Sequence, residues 1–559
     1  LELRSALSGR VDTWRGRSDT ETLLAGFDSW GVEETLQRST GMFAFALWDQ
    51  VSGDLILARD RLGEKPLYYG WQGDTFLFGS ELKALKVHPS FLSEIDRDAL
   101  TLLMRHNCIQ APSSIWKDIY KLLPGCFLAI NFARRESVSK AYWSGAEVIK
   151  ASRQNPFAGS EIDAVNALDA VLTDAVRKQM IGDVPYGAFL SGGIDSSTIV
   201  ALMQDISSNA IRTFSIGYAE ERYNEAPQAK AIATYLGTSH TEYYVSPADT
   251  LAVVDELASI YDEPFSDVSQ IPTYLVSKFA REEVSVALTG DGGDELFGGY
   301  NRYAIADTLW KRAALVPLPI RRTLGRVLTK FSPGDLDRLA RILKGLLPGY
   351  LQTGERIQKG AEVLAARNCG ELYQMLVSHW QCPEALVLNG REPESPLNNI
   401  ADLDKLGSAV EQMMAFDMLT YLPNDILTKV DRAAMRVSLE TRVPFLDHRV
   451  VELAWSLPYR YKIKDGESKW ILRQLLYKHV PRKLVERPKM GFGIPIGDWL
   501  RGPLRGWADT LLDVDRLRGE GYFRVDLIRE KWDEHLTGRR NWQYLLWDVL
   551  MFQSWLEQQ

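Results

Sequence analysis

The chain has 559 residues, 45% hydrophobic and 25% charged, with a formal net charge of −8. That length holds at least two cores, and the acidic balance excludes a nucleic-acid binder, which would need a basic face. No run of about 18 apolar residues occurs, so no membrane-spanning helix is expected, and Cys108, Cys126, Cys369 and Cys382 lack CxxC spacing, which reads as reduced thiols in a cytoplasmic protein with no metal cluster.

The chain opens on LELRSAL, without Met and inside an amphipathic pattern. This predicts a truncated start and not a signal peptide. Between 41 and 83, GMFAFALWD, DLILARD, PLYYGW and TFLFGSE are apolar runs broken by turn residues, a meander of antiparallel strands. The segment 144–160, SGAEVIKASRQNPFAGS, reads as a linker. From there the pattern changes. EIDAVNALDAVLTDAVRKQM has helical spacing, YGAFL is strand-like, STIVALMQDI helical and RTFSIGY strand-like; helical QAKAIATYLG and IPTYLVSKFAREE then precede the strand VSVALTG. Alternating strands and helices predict a parallel sheet covered on both faces. Beyond about residue 300 the chain is mostly helical. The basic stretch KRAALVPLPIRRTLGRVLTK (311–330) is broken by prolines and reads as a solvated helix face, in preference to a membrane-surface helix.

Two loops carry the chemistry. FLSGGIDSST (189–198) joins a strand to a helix through a Gly-Gly turn, so backbone N–H groups and the helix dipole converge on an anion. It has no Lys where GxxxxGK[ST] would place one, and carries Asp195 instead. An acid beside a phosphate needs a cation between them. A second acidic loop, TGDGGDELFGGY (289–300), also follows a strand, and in open parallel sheets such loops share one crevice. Asp195 and Asp294 are therefore expected to share Mg²⁺, a hard ion preferring carboxylate and phosphate oxygens. The Ser191–Gly193 backbone and the hydroxyls of Ser196 and Ser197 would then hold a pyrophosphate.

SGGIDSS resembles the pyrophosphate loop of the N-type ATP pyrophosphatases, which cleave between the α- and β-phosphates. Together with TGDGGDELFGGY, LTKVDRAAMRVSLETRVPFLDHRVVE (427–452) and GESKWILRQLL (466–476), the sequence resembles glutamine-hydrolysing asparagine synthetases. SDTETLLAGFDSWG (18–31), GMFAFALWD and ARDRLGEKPLYY (58–69) are similar to the glutaminase domain of that family. The resemblance implies a mixed α/β and α+β chain of two domains. Residues 1–145 would be an Ntn-type glutaminase sandwich, incomplete at its start. Residues 160–559 would be a parallel-sheet PP-loop ATP pyrophosphatase domain with a helical C-terminal part. It also implies roles. Leu190, Ser191, Gly192, Gly193, Asp195 and Ser196 form the pyrophosphate loop; Ile216, Thr289 and Gly290 surround the nucleotide. Asp195 and Asp294 hold magnesium, and Lys469 neutralises the polyphosphate as the adenylate forms. Asp291 is catalytic, although several relatives carry the longer Glu there. Asp19 is the candidate for the α-amino group of glutamine, and equally fits a helix N-cap.

The implied reaction adenylates aspartate with ATP and releases amide, AMP and pyrophosphate, with ammonia supplied by glutamine. The family's N-terminal Cys nucleophile is not among these residues. An incomplete chain is expected, and one starting at Leu1 should use ammonium salts but not glutamine. Assembly as a homodimer is a further expectation. Two rival readings stand beside this one: amidation of another carboxylate, such as a nucleotide-linked uronic acid, and a non-catalytic ATP-binding paralogue. RPKMGFGIPIGDWLRG (487–502) resembles many bacterial sequences of unsettled acceptor. Lys429 and Lys469 are both compatible with ordinary surface lysines, and Glu440, Arg442 and Asp447 with either an ion-pair network or substrate ligands.

Overall fold

The computed structural model describes residues 2–11, 13–218, 224–305, 310, 315–331, 333–342, 354–394, 406–486 and 493–559. Strands β1 (Ala44–Trp48), β2 (Asp54–Arg59), β6 (Cys126–Asn131) and β7 (Glu136–Ala141) form an antiparallel sheet in that order. Strands β3 (Tyr68–Gln72), β4 (Thr75–Gly79) and β5 (Ile119–Lys121) form a second sheet, ordered β4-β3-β5. The expected meander is thus split between two sheets. Alternation explains why they stack: Leu55, Leu57, Leu128 and Ile130 from the first share one apolar cluster with Tyr69, Trp71 and Phe76 from the second.

The parallel sheet has the order β10-β9-β8-β11-β12, from β8 (Tyr186–Phe189), β9 (Arg212–Tyr218), β10 (Ser239–Val245), β11 (Val286–Leu288) and β12 (Glu440–Arg442). The chain runs outward from β8 through β9 to β10, then returns to lay β11 on the other side of β8. The switch point therefore lies between β8 and β11, where a crevice must open at the strands' carboxyl ends. Both faces are covered, as is usual for a parallel sheet: in β11, Val286 and Leu288 pack into one core, and Ala287 into the other.

Residues 144–160 are not a free linker. Ser144 caps a helix, Gly145–Gln154, by accepting from the Glu147 N–H. Ile149 of that helix joins the core of the parallel sheet, and the Phe157 N–H donates to the Ser456 carbonyl. Tyr68, Leu100 and Trp116 share a second core with Trp547 and Trp555 of the C-terminal helix Gln543–Leu556, so the two ends of the chain are packed together. Of the basic stretch, 311–314 lie outside the described residues, and Leu318–Leu328 is a helix. Residues 487–492 also lie outside them. Among the described residues no helix is long and apolar enough to cross a membrane.

Candidate functional site

The helix after β8 begins at Ile194, five residues before the apolar run that starts at Ile199, so Asp195 and Ser196 sit in its first turn. Gly192 adopts φ +75°, and a Cβ there would lie 3.0 Å from the Ala229 backbone nitrogen. Only Gly satisfies both conditions cheaply. The loop is closed by its own hydroxyls. The Ser191 N–H donates to Ser196 Oγ at 3.2 Å and the Gly193 N–H to Ser191 Oγ at 3.3 Å, while the two hydroxyls lie 3.1 Å apart. Ser197 departs from the expectation: its side chain is fully buried and is not part of the cavity wall. One residue further round the helix turns a side chain by 100°, into the core.

The second loop packs directly on the first. A Cβ on Gly290 would stand 2.7 Å from the Ser196 nitrogen, and one on Gly293 would stand 2.5 Å from Asp195 Oδ1. This contact brings Asp195 and Asp294 to a common point. Between them lies the ammonium of Lys469, which pairs with Asp195 and sits 2.6 Å from Asp294 Oδ1. Lys469 is 5% exposed, so it is no surface lysine. Burial alone would depress its pKa, but the two carboxylates outweigh burial and hold it above its ordinary value.

These groups line a cavity of about 810 Å³ together with Leu190, Ser191, Gly192, Gly193, Ser196, Ile216, Thr289, Gly290 and Asp291. Ser197 apart, every residue expected around the nucleotide and its phosphates lines this cavity. Burial raises the Asp291 carboxyl above the usual range, against the pull of the Lys429 ammonium. Lys429, 8% exposed, also lines the cavity and pairs with Asp267 at 2.7 Å. Sequence reasoning had no signal for Asp267, which lies in an irregular stretch between helices. It also missed Glu295 and Tyr300: the Tyr300 hydroxyl donates to Glu295 Oε1 at 2.6 Å. Burial, reinforced by the Asp294 charge, pushes the Glu295 carboxyl up to about 7.

Glu440, Arg442 and Asp447 stand outside the cavity wall. Arg442 pairs with Glu440 at 2.7 Å and donates to the carbonyls of Gln179 and Ile181; Asp447 pairs with Arg449 at 2.6 Å. These are two separate ion pairs, Glu440–Arg442 and Asp447–Arg449. Asp19 is exposed at the start of helix Asp19–Trp30; its carboxylate accepts from the Thr20 N–H at 2.8 Å, while Ser18 is the N-cap.

The donor set suits Mg²⁺. Two carboxylates already share a cation at one point, and Mg²⁺ needs only one or two protein carboxylates when phosphate oxygens complete its shell. Among the described residues no cluster of three or more metal-binding side chains occurs.

A Gly-rich anion loop without the Walker lysine, an acidic loop docked on it and a buried ammonium between them define an ATP-pyrophosphatase amide ligase. The family pattern described as asparagine synthase matches residues 167–557, and that of a glutamine amidotransferase domain matches residues 1–143. Asparagine synthetase [glutamine-hydrolyzing] 1 of Bacillus subtilis is 30% identical over 99% of this chain and 83% of its own length. A putative asparagine synthetase [glutamine-hydrolyzing] of Mycobacterium bovis is 34% identical over 99% of this chain and 82% of its own. Amidase chyE of Penicillium rubens is 24% identical over 93% and 79%. The chain belongs to the asparagine synthase family.

Proposed function

We propose that this protein amidates aspartate to asparagine, using ATP to form an acyl-adenylate and glutamine as the source of ammonia. The observation that carries the reading is the convergence of Asp195, Asp294 and Lys469 on one point at the switch of the parallel sheet.

The chemistry follows from the parts. A carboxylate is a poor acyl donor because oxide leaves badly. When its oxygen attacks the α-phosphorus of ATP, the bond to pyrophosphate breaks and AMP becomes a good leaving group. The backbone of 191–193, at a helix N-terminus, holds the departing phosphates. Asp195 and Asp294 would hold Mg²⁺, which would supply charge neutralisation for the departing phosphates. Lys469, released from its carboxylates, follows the charge onto pyrophosphate as a compact ammonium on a flexible stem. Ammonia then attacks the acyl carbon and AMP leaves. We assign to Asp291 the proton that the nitrogen loses. Residues 1–145 supply the ammonia as a glutaminase domain with Asp19 on the glutamine α-amino group, and residues 160–559 form the synthetase domain.

The test is release of AMP and pyrophosphate on adding L-aspartate and ammonium salt, compared with Asp195→Asn. Aspartate-dependent product from the wild type and none from the variant is expected, since losing a metal carboxylate removes several kcal/mol of transition-state stabilisation. Near-normal AMP production by the variant would remove Asp195 from the site.

A further inference from the structure

The basic stretch that reads in the sequence as a solvated helix face carries an apolar strip to the surface. In helix Leu318–Leu328, Ile320, Leu324 and Val327 are 58%, 49% and 48% exposed. Val316 and Phe331 continue the strip at its two ends, 39% and 48% exposed. Positions three and four residues apart share one side of a helix, so these side chains adjoin. Single apolar side chains at the surface are ordinary, but a contiguous strip marks an interaction site.

The helix is held with this strip facing outward. Arg321, 7% exposed, donates to the Ala366 carbonyl at 3.1 Å and lies over the Trp310 ring at 5.2 Å. A Cβ on Gly325 would stand 2.6 Å from the Ala361 carbonyl oxygen. Arg321 and Gly325 therefore form the docked side. The helical step of 100° per residue places Arg322, Arg326 and Lys330, all exposed, on the side that remains. Two strips thus run outward side by side, one apolar and one basic. In a chain of net charge −8, residues 315–331 contain no Asp or Glu. The basic strip has no acid in its own stretch to neutralise it.

We propose that this face seats the protein on an anionic lipid surface, with Ile320, Leu324 and Val327 below the headgroups and Arg322, Arg326 and Lys330 at their phosphates. An apolar strip flanked by cations is what an interfacial helix needs, and long basic side chains reach back to the phosphates while their stems stay apolar. The negative charge of the rest of the molecule opposes this weakly, because salt screens charges beyond about 8 Å. A second copy fits the face less well. A two-fold contact would set the three basic side chains against their own copies. One helix of 11 residues also offers less than the roughly 800 Å² per partner that a stable interface buries. The proposal is independent of the amidation reading, since none of these residues lines the cavity.

The experiment is flotation of the full chain with vesicles of phosphatidylcholine alone and of phosphatidylcholine mixed with phosphatidylglycerol. The wild type should float with the mixed vesicles, stay behind with the neutral ones, and be released by raised salt. Arg322→Gln and Arg326→Gln should each weaken binding about fivefold. Leu324→Asn should weaken it about tenfold, since it removes an anchor from the apolar strip. Circular dichroism checks the fold of each variant, and where one fails to fold the wild-type comparison of the two vesicles decides. Equal binding to both vesicles, no binding to the mixed ones, or variants that float like the wild type would each overturn the proposal. A dimer in solution that Leu324→Asn dissociates, without vesicle binding, would give the face to a second copy instead.

Discussion

Lys469 has φ +56°, a left-handed conformation that a long side chain adopts at a cost. Strain of this kind is held only where the surroundings over-determine it, and here it turns the ammonium back between two carboxylates. Because the residue acts on charge that develops as pyrophosphate leaves, Lys469→Ala should lower kcat by about 10²–10³ while leaving ATP affinity nearly unchanged. Single-turnover measurements with an independent ATP titration distinguish the two effects, and unchanged turnover would end the assignment. Glu295 offers a test on stability. Its carboxyl titrates near pH 7 in the folded protein against 4.5 for the free group. The folded state therefore keeps a proton that the unfolded state has released, and stability falls as pH rises through that window. The loss is roughly 3 kcal/mol at about 1.4 kcal/mol per unit. Denaturant unfolding of Glu295→Gln between those pH values should show a flatter profile; an unaltered slope would place the titration on another group.

At the scale of elements, the site depends on one loop lying against another. Gly290 has no room for a side chain beside the Ser196 nitrogen. Gly290→Ala should force the loops apart, costing about 1–3 kcal/mol as overpacking does and weakening ATP binding with it. Equal ATP protection in thermal melts of variant and wild type would count against that contact. The network around Asp447 should behave oppositely. Asp447 caps helix His448–Ser456 by accepting from the Arg449 N–H at 3.0 Å. Asp447→Ala should therefore lower stability by about 1–2 kcal/mol with kinetic constants retained, and a selective rise in KM would return it to the substrate. Asp417–Ile426 is a π-helix containing Pro423, a widened turn of the kind that marks functional sites. It supplies Tyr421 and Ile426 to the cavity, while its Asn424 accepts from the Ala111 N–H at 2.9 Å.

Across the whole molecule, residues 65–121 make polar contacts with segments next to those that line the cavity. Asn107 meets Asp425, Lys65 pairs with Asp431 at 2.7 Å, and Lys121 pairs with the buried Glu263. Asn107→Ala would leave a buried carboxyl without its donor, at a cost of about 1–3 kcal/mol. Denaturant unfolding of the variant reads that loss directly. Unchanged stability would mean that Asp425 finds another donor.

The amino-acid sequence by itself determined the anion loops, because strand, Gly turn and helix start are neighbours in the chain and their physics is local. It also carried the family through long motifs in order, and the helices 161–179, 226–236 and 270–281 through their periodicity. It misread 144–160, where a capped helix of ten residues looks polar until Ile149 finds the core. It offered nothing for β12, three residues long, or for β10. Only the tertiary structure decided which acids and amines meet. Asp267, Asp291 and Lys429 come from three distant segments, and their meeting depends on β11 returning beside β8. Charge pairing acts over ångströms in space and leaves no period in the sequence, so the Lys429–Asp267 wall of the cavity could be found only after folding.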